Sequence, residues 1–320
     1  IENIVINTDV QNKTYQLLPE SYIQELSNYF KNNNTNGFEY DDLNSFIVGD
    51  NFGEGIYAND GLFDESISDT KGDDLIFANN GSDNIETSEG NDIVFSGKGN
   101  DRIIGSKGND KFYGGEGNDY LYGEKEHENE HGNDELYGND GDDIIRGEGG
   151  DDVIYGGSGN DTLEGDGPAA TRDNQSGKDT IYGEDGDDII WGHEGDDFID
   201  GGNGNDEIYG GDGNDELYGN DGDDDIRGYG GDDVIYGGSG NDYIDGGTGS
   251  DIVTYNGYEN DYLITGNNGD YIVEDLRNNL SDGKDRLLNI EIIKFLNQDS
   301  RIALSDLEAY NYIASNNDLI

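Results

Sequence analysis

Two spacings of residues in this chain could support metal chemistry. The pentapeptide HENEH at residues 127–131 matches the H-E-x-x-H signature, in which two histidines one helical turn apart hold zinc and the glutamate acts as a base. The other pattern is a row of aspartates that recurs, mostly every nine residues, between Asp74 and Asp251. The first pattern predicts a zinc protease and the second a binder of hard cations, and the surrounding residues distinguish the two.

The HENEH pentapeptide lacks the helix that zinc catalysis requires. It falls in a short extension between Gly123 and Gly132, which occupy fixed positions of the surrounding repeat, so the loop is held at both ends. The only other histidine, His193, lies in a distant repeat. The sequence also has no G-x-S-x-G elbow, no cysteine and no P-loop. We interpret the match as accidental, with an incidental surface metal site as the alternative, and expect no enzyme activity from this chain.

The aspartates belong to a nine-residue unit, G-G-x-G-x-D-x-U-x, in which U is a large apolar residue. Residues 201–254 read GGNGNDEIY, GGDGNDELY, GNDGDDDIR, GYGGDDVIY, GGSGNDYID and GGTGSDIVT. The spacing is interrupted twice, by six extra residues after Asp119 and nine extra after Asp161. The candidate metal ligands, at position six of the 19 units, are Asp74, Asp83, Asp92, Asp101, Asp110, Asp119, Asp134, Asp143, Asp152, Asp161, Asp179, Asp188, Asp197, Asp206, Asp215, Asp224, Asp233, Asp242 and Asp251.

The composition of the unit indicates calcium. Glycines at positions one, two and four allow a tight turn whose carbonyl groups point inward. The aspartate adds a carboxylate, and carbonyl and carboxylate oxygens are the ligands that Ca²⁺ prefers. We therefore expect multiple Ca²⁺ ions, roughly a dozen or more, held between units two apart on the same edge.

The last three residues of each unit, x-U-x, predict a short strand whose central side chain points into a core. Two units then form one coil of a right-handed solenoid, in which two parallel sheets meet over a narrow apolar interior. The predicted core residues are Ile76, Ile85, Val94, Ile103, Phe112, Leu121, Leu136, Ile145, Ile154, Leu163, Ile181, Ile190, Ile199, Ile208, Leu217, Ile226, Ile235, Ile244 and Val253.

Over roughly residues 54–254, these units resemble the calcium-binding β-roll of the RTX (repeats-in-toxin) family of secreted bacterial proteins. The resemblance implies an all-β fold, a right-handed parallel β-roll. It also implies that each position-six aspartate binds calcium together with carbonyl groups of the glycine turns. Finally, it implies export through the type I secretion machinery.

Charge and composition agree with an extracellular binder of cations. The chain has 74 acidic and 17 basic residues, a net charge of −57, which repels nucleic acid and attracts cations. There is no cysteine to form a stabilising disulfide. We expect no membrane-spanning segment, because no apolar run is long enough, and no N-terminal signal peptide is in view. We interpret the chain as a fragment of a larger secreted or cell-surface protein.

The residues that flank the repeats predict caps for the ends of the solenoid. Residues 1–53 are expected to form an N-terminal cap that includes a helix at Pro19–Phe30, and residues 54–254 the β-roll. Residues 255–304 are expected to form a C-terminal β cap, whose segment from Asp285 to Phe295 is similar to caps that follow RTX arrays. The capping box at Ser305–Glu308 predicts the start of a helical segment over residues 305–320.

Loop insertions are expected near residues 124–131 and 165–173. If both are extruded, position nine forms two outer rows, and the copies at residues 138–161 and 219–242 share one environment. One row is largely aromatic: Phe77, Phe95, Tyr113, Tyr137, Tyr155, Tyr182, Asp200, Tyr218 and Tyr236. The other row is mixed: Glu86, Ile104, Tyr122, Arg146, Glu164, Trp191, Tyr209, Arg227 and Asp245.

The sequence favours a calcium-binding module that is unfolded at low calcium and folds outside the cell, in support of secretion and of the stability of a larger protein. Two alternatives remain. The segment could be part of an adhesin that recognises glycans or cell-surface components, with the aromatic row as its platform. It could also belong to a secreted hydrolase whose catalytic domain lies outside these residues.

Overall fold

A computed structural model describes residues 48–50, 53–57, 66–68, 72–78, 80–125, 131–167, 177–277, 282–297 and 300–305. The first three ranges are described by their backbone alone. The helix expected at Pro19–Phe30, most of the HENEH pentapeptide and the helix expected after Ser305 lie outside the described residues.

The strands form two long sheets. The first sheet contains, in spatial order, β1 (Val48–Asp50), β2 (Gly53–Tyr57), β4 (Leu75–Phe77), β6 (Ile93–Lys98), β8 (Lys111–Glu116), β10 (Glu135–Asp140), β12 (Val153–Ser158), β14 (Thr180–Asp185), β16 (Phe198–Asn203), β18 (Glu216–Asp221), β20 (Val234–Ser239), β22 (Ile252–Tyr255), β26 (Ile292–Phe295) and β27 (Ser300–Ala303). The second contains β23 (Tyr262–Asn267), β24 (Asp270–Asp275), β25 (Lys284–Leu288), β21 (Tyr243–Asp245), β19 (Asp225–Gly230), β17 (Glu207–Asp212), β15 (Ile189–Glu194), β13 (Thr162–Asp166), β11 (Ile144–Glu148), β9 (Tyr120–Tyr122), β7 (Arg102–Ile104), β5 (Asn84–Glu86) and β3 (Ser66–Ser68).

Successive repeat strands alternate between the two sheets, so two units complete one coil. Each repeat strand pairs in parallel with the strand two units away, as Tyr137 of β10 does with Tyr155 of β12. Parallel pairing at a constant register stacks identical repeat positions above one another. The prediction of an all-β parallel β-roll is confirmed.

The core between the sheets consists of the predicted apolar row. All 19 side chains at position eight are fully buried, from Ile76 to Val253. Burial of one such side chain contributes about 1.5–3 kcal/mol, as an upper estimate. Each strand contributes only one side chain to this core, so the core is thin. The stability of the fold therefore depends strongly on the turns at its two edges.

The register across both insertions is the expected one. Tyr155 pairs with Tyr182 across the second insertion, and Tyr155 and Tyr236 lie in the same sheet. The two outer rows are confirmed in full, because the strand pairs align the position-nine residues as predicted. The second insertion is expected near residues 165–173, of which residues 165–167 are described. Residues 165–167 still follow the coil, with the Gly167 N–H donating to the Glu148 carbonyl at 2.9 Å.

The aromatic row is a continuous stack over its first six members. Ring centroids from Phe77 to Tyr182 are 4.7–5.1 Å apart, and neighbouring planes differ by 4–11°. Asp200 interrupts the row, and Phe198 leans into the gap at 52° to the Tyr182 ring. Tyr218 and Tyr236 stack again beyond it, at 4.3 Å.

The C-terminal cap begins as one more coil of the solenoid. Strand β25 pairs in parallel with β21, and β26 pairs in parallel with β22, which places Leu287 and Ile293 in the buried row. The sequence predicts a β-roll that ends at residue 254, whereas in the structure the parallel coil continues beyond that residue. Antiparallel strands follow only at the outside, in the β23–β24 hairpin and in β27.

Candidate metal centre

The turns lie along two edges of the roll, and the aspartates at position six divide between them. On edge one, the turns lead from the second sheet into the first and contain Asp74, Asp92, Asp110, Asp134, Asp152, Asp179, Asp197, Asp215, Asp233 and Asp251. On edge two, the turns lead from the first sheet into the second and contain Asp83, Asp101, Asp119, Asp143, Asp161, Asp188, Asp206, Asp224 and Asp242.

Each edge is a ladder of buried carboxylates. The backbone N–H of each position-six aspartate donates to a carboxylate oxygen in the next turn of the same edge, which is Oδ1 of an aspartate in every case except Asp251, whose N–H donates to Glu291. For example, Asp119 donates to Asp143 at 2.7 Å, and Asp143 donates to Asp161 at 2.8 Å. All 19 side chains are at most 2% exposed. The backbone therefore fixes one oxygen of each carboxylate and aims the other into the turn.

The second oxygen, Oδ2, is buried and accepts no hydrogen bond from the described residues in most units. An unpaired buried carboxylate oxygen is costly unless a cation or a proton balances it. The aspartates with such an oxygen are Asp119, Asp134, Asp143, Asp152, Asp161, Asp179, Asp188, Asp197, Asp206, Asp215, Asp224, Asp233, Asp242 and Asp251.

A carbonyl oxygen lies beside this Oδ2, next to the glycine at position one. A Cβ added to Gly138 would lie 2.2 Å from Asp143 Oδ2 and 2.5 Å from the carbonyl oxygen of Gly156, which is position one two units later. We call these two atoms the oxygen pair. They are close enough to be ligands of one Ca²⁺, for which Ca–O distances are about 2.3–2.6 Å.

The same oxygen pair recurs along the array. It flanks Gly105, Gly114, Gly123, Gly138, Gly147, Gly156, Gly165, Gly183, Gly192, Gly210, Gly219 and Gly228. At Gly246 the carbonyl comes from Asn289 of the cap. These donors are hard oxygens of mixed carboxylate and carbonyl type, so the residues present fit calcium.

The repeats also match a known family model. The model of the RTX calcium-binding nonapeptide repeat (4 copies) matches residues 60–94, 95–126, 132–163, 174–208, 192–226, 200–234 and 218–253, more than half of the chain. The chain belongs to the RTX calcium-binding repeat family. The repeats thus form a calcium-binding module, of the kind found in secreted bacterial proteins.

Comparison with known proteins adds little beyond the family. No curated protein matches the chain. Among solved structures, it is similar to the extracellular lipase LipA from Serratia marcescens, at 20% identity over 62% of this chain. The chain spans 39% of the lipase, and the TM-score is 0.22.

The first RTX units differ from the others at position one, where Ala78, Thr87 and Ser96 replace glycine. Their backbone is in the regular register, since the Thr87 N–H donates to the Ile104 carbonyl as Gly105 does to Tyr122. The Ser96 hydroxyl donates to the carbonyl of Gly114 at 2.6 Å, and it also hydrogen-bonds to Asp101. A side chain here takes the place that the oxygen pair surrounds in later units.

Burial raises the pKa values of the RTX aspartates. Desolvation, together with neighbouring carboxylates of the same ladder, raises the pKa of Asp119 to about 7 and that of Asp143 to about 8. The backbone N–H that each Oδ1 accepts acts in the opposite direction. Repulsion between carboxylates about 4.8 Å apart is roughly 3 kcal/mol at an effective dielectric constant of about 20. The ladders therefore favour bound protons or cations.

Both ladders continue into the C-terminal cap, through Asp285 and Glu291, which the nine-residue period does not predict as site residues. Asp285 accepts from the Asp242 N–H at 3.0 Å, and Glu291 accepts from the Asp251 N–H at 2.8 Å. Asp285 Oδ2 in turn accepts the Tyr255 hydroxyl at 2.8 Å. The row on edge two therefore ends in a phenol hydrogen bond. The spacing of D-x-L-x-N-I-E breaks the nine-residue period, which is why counting missed both acids.

Two further acids, Glu124 and Asp166, are buried beside edge one at position two of the insertion-bearing units. His131, the one residue of HENEH that is described, has its Nδ1 3.8 Å from Glu124 Oε2. Within the described ranges, no three His, Cys, Asp or Glu side chains form a metal-binding group, as expected for sites built largely from carbonyls. The described part of the chain also contains no helix long and apolar enough to cross a membrane.

Proposed function

We propose that this chain is a calcium-dependent folding module of a larger protein that bacteria secrete. Without calcium it is unfolded and competent for export through a type I channel. At the millimolar calcium outside the cell it folds into the β-roll and stabilises the protein to which it belongs. The proposal rests mainly on the recurring oxygen pair, a buried carboxylate oxygen beside a carbonyl oxygen.

The energetics support a switch between the two states. Two rows of buried carboxylates oppose folding when no cation balances them, and the core is narrow. Calcium at the oxygen pairs would neutralise the carboxylates and link turns two units apart. At a concentration several times its dissociation constant, each ion stabilises the fold by about 1–2 kcal/mol. A dozen ions together match the stability of an ordinary domain.

We further propose that the calcium sites begin at Gly105 and not at the first repeat. The twelve glycines with a complete oxygen pair and Gly246 define at least thirteen sites. At Asp83, Asp92 and Asp101, a methyl, a threonine or a serine side chain at position one fills the same place. The early coils then act as a cation-independent end of the roll.

The test is folding against calcium concentration. In excess chelator, circular dichroism of the whole chain should show a disordered spectrum and small-angle scattering an expanded chain. Millimolar calcium should produce a cooperative strand signal and compaction, whereas magnesium should substitute poorly because it gives up its water shell reluctantly. A compact, strand-rich chain in excess chelator would contradict the proposal.

A further inference from the structure

Both insertions interrupt turns of edge one at the same place in the repeat. The first lies between Glu124, at position two, and Gly132, at position four. The second lies between Asp166, at position two, and Gly177, at position four. One regular turn, that of Asp152, separates the two interrupted turns. Each interrupted turn thus has an acid where the consensus unit has glycine, as do the uninterrupted units with Glu148 and Glu184.

Glu124 is turned into the roll and not toward solvent. Its side chain is 1% exposed, and Oε1 accepts the Gly132 N–H at 2.5 Å. The N–H of Gly149, at position three of the next turn on this edge, also hydrogen-bonds to the carboxylate. Oε2 is buried and accepts no hydrogen bond from the described residues, although His131 lies 3.8 Å away.

Asp166 repeats this arrangement in the second interrupted turn. It is 6% exposed, and its Oδ1 accepts the N–H of Gly177, at position four of its own unit, at 3.2 Å. The N–H of Glu194, at position three of the next turn on the edge, is its second donor. Its Oδ2 is again buried without a hydrogen-bond donor among the described residues.

The two acids repair a hydrogen bond that the insertions remove. In regular units the position-four N–H donates to the position-three carbonyl of the next turn, as Gly141 does to Ser158 at 2.7 Å. At Gly132 and Gly177 this N–H turns to the acid of its own unit. Repair needs only one oxygen and no charge, so it leaves the second buried oxygen unexplained.

We propose that the interrupted turns are calcium sites of a second kind, in which Glu124 or Asp166 adds a second carboxylate to the oxygen pair of the same unit. At Gly123 that pair is Asp134 Oδ2 and the Gly147 carbonyl, and at Gly165 it is Asp179 Oδ2 and the Gly192 carbonyl. Each acid directly follows the glycine that its pair flanks. The inference rests on the proposed function and specifies two of its sites.

The added charge sets the affinity of these sites. Calcium affinity rises with the number of charged ligands, so a site with two carboxylates should fill at lower calcium than one with a single carboxylate. These sites should therefore be occupied early as calcium rises.

The experiment compares amide and acid variants of the whole chain. Glu124→Gln and Asp166→Asn keep an oxygen that accepts the position-four N–H but remove the charge. Each should lower by one the number of ions bound at saturation in equilibrium dialysis, or raise the calcium midpoint of folding roughly two- to tenfold. Glu184→Gln is the matched control, since Glu184 is also an acid at position two but is exposed in an uninterrupted unit, and it should lose no ion.

Each outcome shows whether the two acids act as charged calcium ligands or only replace a lost backbone hydrogen bond. If the amide variants bind and fold like the parent, the acids only repair hydrogen bonds and the inference is wrong, while the calcium dependence of the parent leaves the proposed function intact. If Glu124→Gln does not fold at any calcium concentration but Glu124→Asp does, charge is required and the inference stands. If neither variant folds, charge does not explain the residue and the inference fails. A parent that binds no calcium contradicts the proposed function itself.

Discussion

At the scale of single residues, the position-six aspartate has one oxygen held by the backbone and one in the proposed calcium site. In Asp143, Oδ1 accepts the Asp119 N–H, and Oδ2 belongs to the oxygen pair at Gly138. In Asp101, Oδ1 makes the same kind of bond to Asp83, but Ser96 hydrogen-bonds to the carboxylate. The two aspartates lie on the same edge and accept the same backbone hydrogen bond. A comparison of the two therefore distinguishes calcium binding from a purely structural role.

Asp143→Asn should therefore remove one bound calcium ion and raise the calcium midpoint of folding, because the amide keeps the Oδ1 bond but loses the ligand charge. Asp101→Asn should leave the number of bound ions unchanged. Equilibrium dialysis counts the ions, and circular dichroism follows the midpoint. Equal losses in the two variants would show that the early units bind calcium as the later ones do.

Position one offers a reciprocal exchange. Gly219 has a complete oxygen pair, Asp224 Oδ2 and the Gly237 carbonyl, within 2.2 and 2.5 Å of an added Cβ. Gly219→Ser should lose one ion, because the side chain occupies the space between those oxygens. Ser96→Gly should gain one ion by exposing the Gly114 carbonyl and Asp101. The number of bound ions checks both predictions. An unchanged number in both variants would show that the residue at position one does not control calcium binding.

At the scale of elements, the geometry of the aromatic row favours a role in stabilising the sheet over a role in binding a ligand. Tyr137, Tyr155 and Tyr182 stack 4.7–4.9 Å apart, so their faces cover one another and present mainly edges to solvent. Sugars bind aromatic residues through the ring face. The stacked rings therefore favour a stabilising role, and the adhesin alternative stays a hypothesis without a specific contact in its favour.

Tyr155→Ala should lower the stability of the calcium-bound roll by about 1–3 kcal/mol, because it removes two stacking contacts and opens the row. Thermal unfolding in saturating calcium measures the effect. Tyr120→Ala, on an exposed tyrosine of the other sheet, should cost less. A Tyr155→Ala variant of unchanged stability that loses binding to a glycan would instead support the adhesin alternative.

Sequence periodicity predicted the strands, the core and the outer rows, because a nine-residue period fixes what each position faces. It could not predict Asp285, Glu291 or the core role of Leu287, since these residues continue the coil after the period breaks. Glu124 and Asp166 escaped for another reason. Position two is glycine in the consensus unit, and only the fold shows that both acids are turned inward beside the ladder.

At the scale of the whole molecule, the two carboxylate ladders couple folding to pH. Burial raises the pKa of Asp119 to about 7 and of Asp215 and Asp224 to about 8, from 3.8. A carboxyl group with a raised pKa binds its proton more tightly in the folded state. Its contribution to stability is full below pH 3.8 and is lost as the pH rises through the folded-state pKa, about 7–8.

In excess chelator, the folded fraction should therefore increase as the pH falls from about 8 to about 5. In calcium, the midpoint of folding should move to lower calcium over the same range, since bound protons already stabilise the folded state before calcium binds. Circular dichroism at a series of pH values measures both trends. A cation-free chain that becomes less folded on acidification would contradict the burial of these groups.

The ladders also give the roll a direction of assembly. Every position-six N–H donates to the turn on its C-terminal side, so each coil needs the next one as a template, and the last coil rests on Asp285 and Glu291 of the cap. We therefore expect vectorial folding, starting at the C-terminal end and adding coils toward the N-terminus. Removal of residues 256–305 deletes the Asp285 and Glu291 carboxylates on which the last coil rests, and it should prevent folding. Removal of a similar length that ends before Gly105 should only shorten the roll.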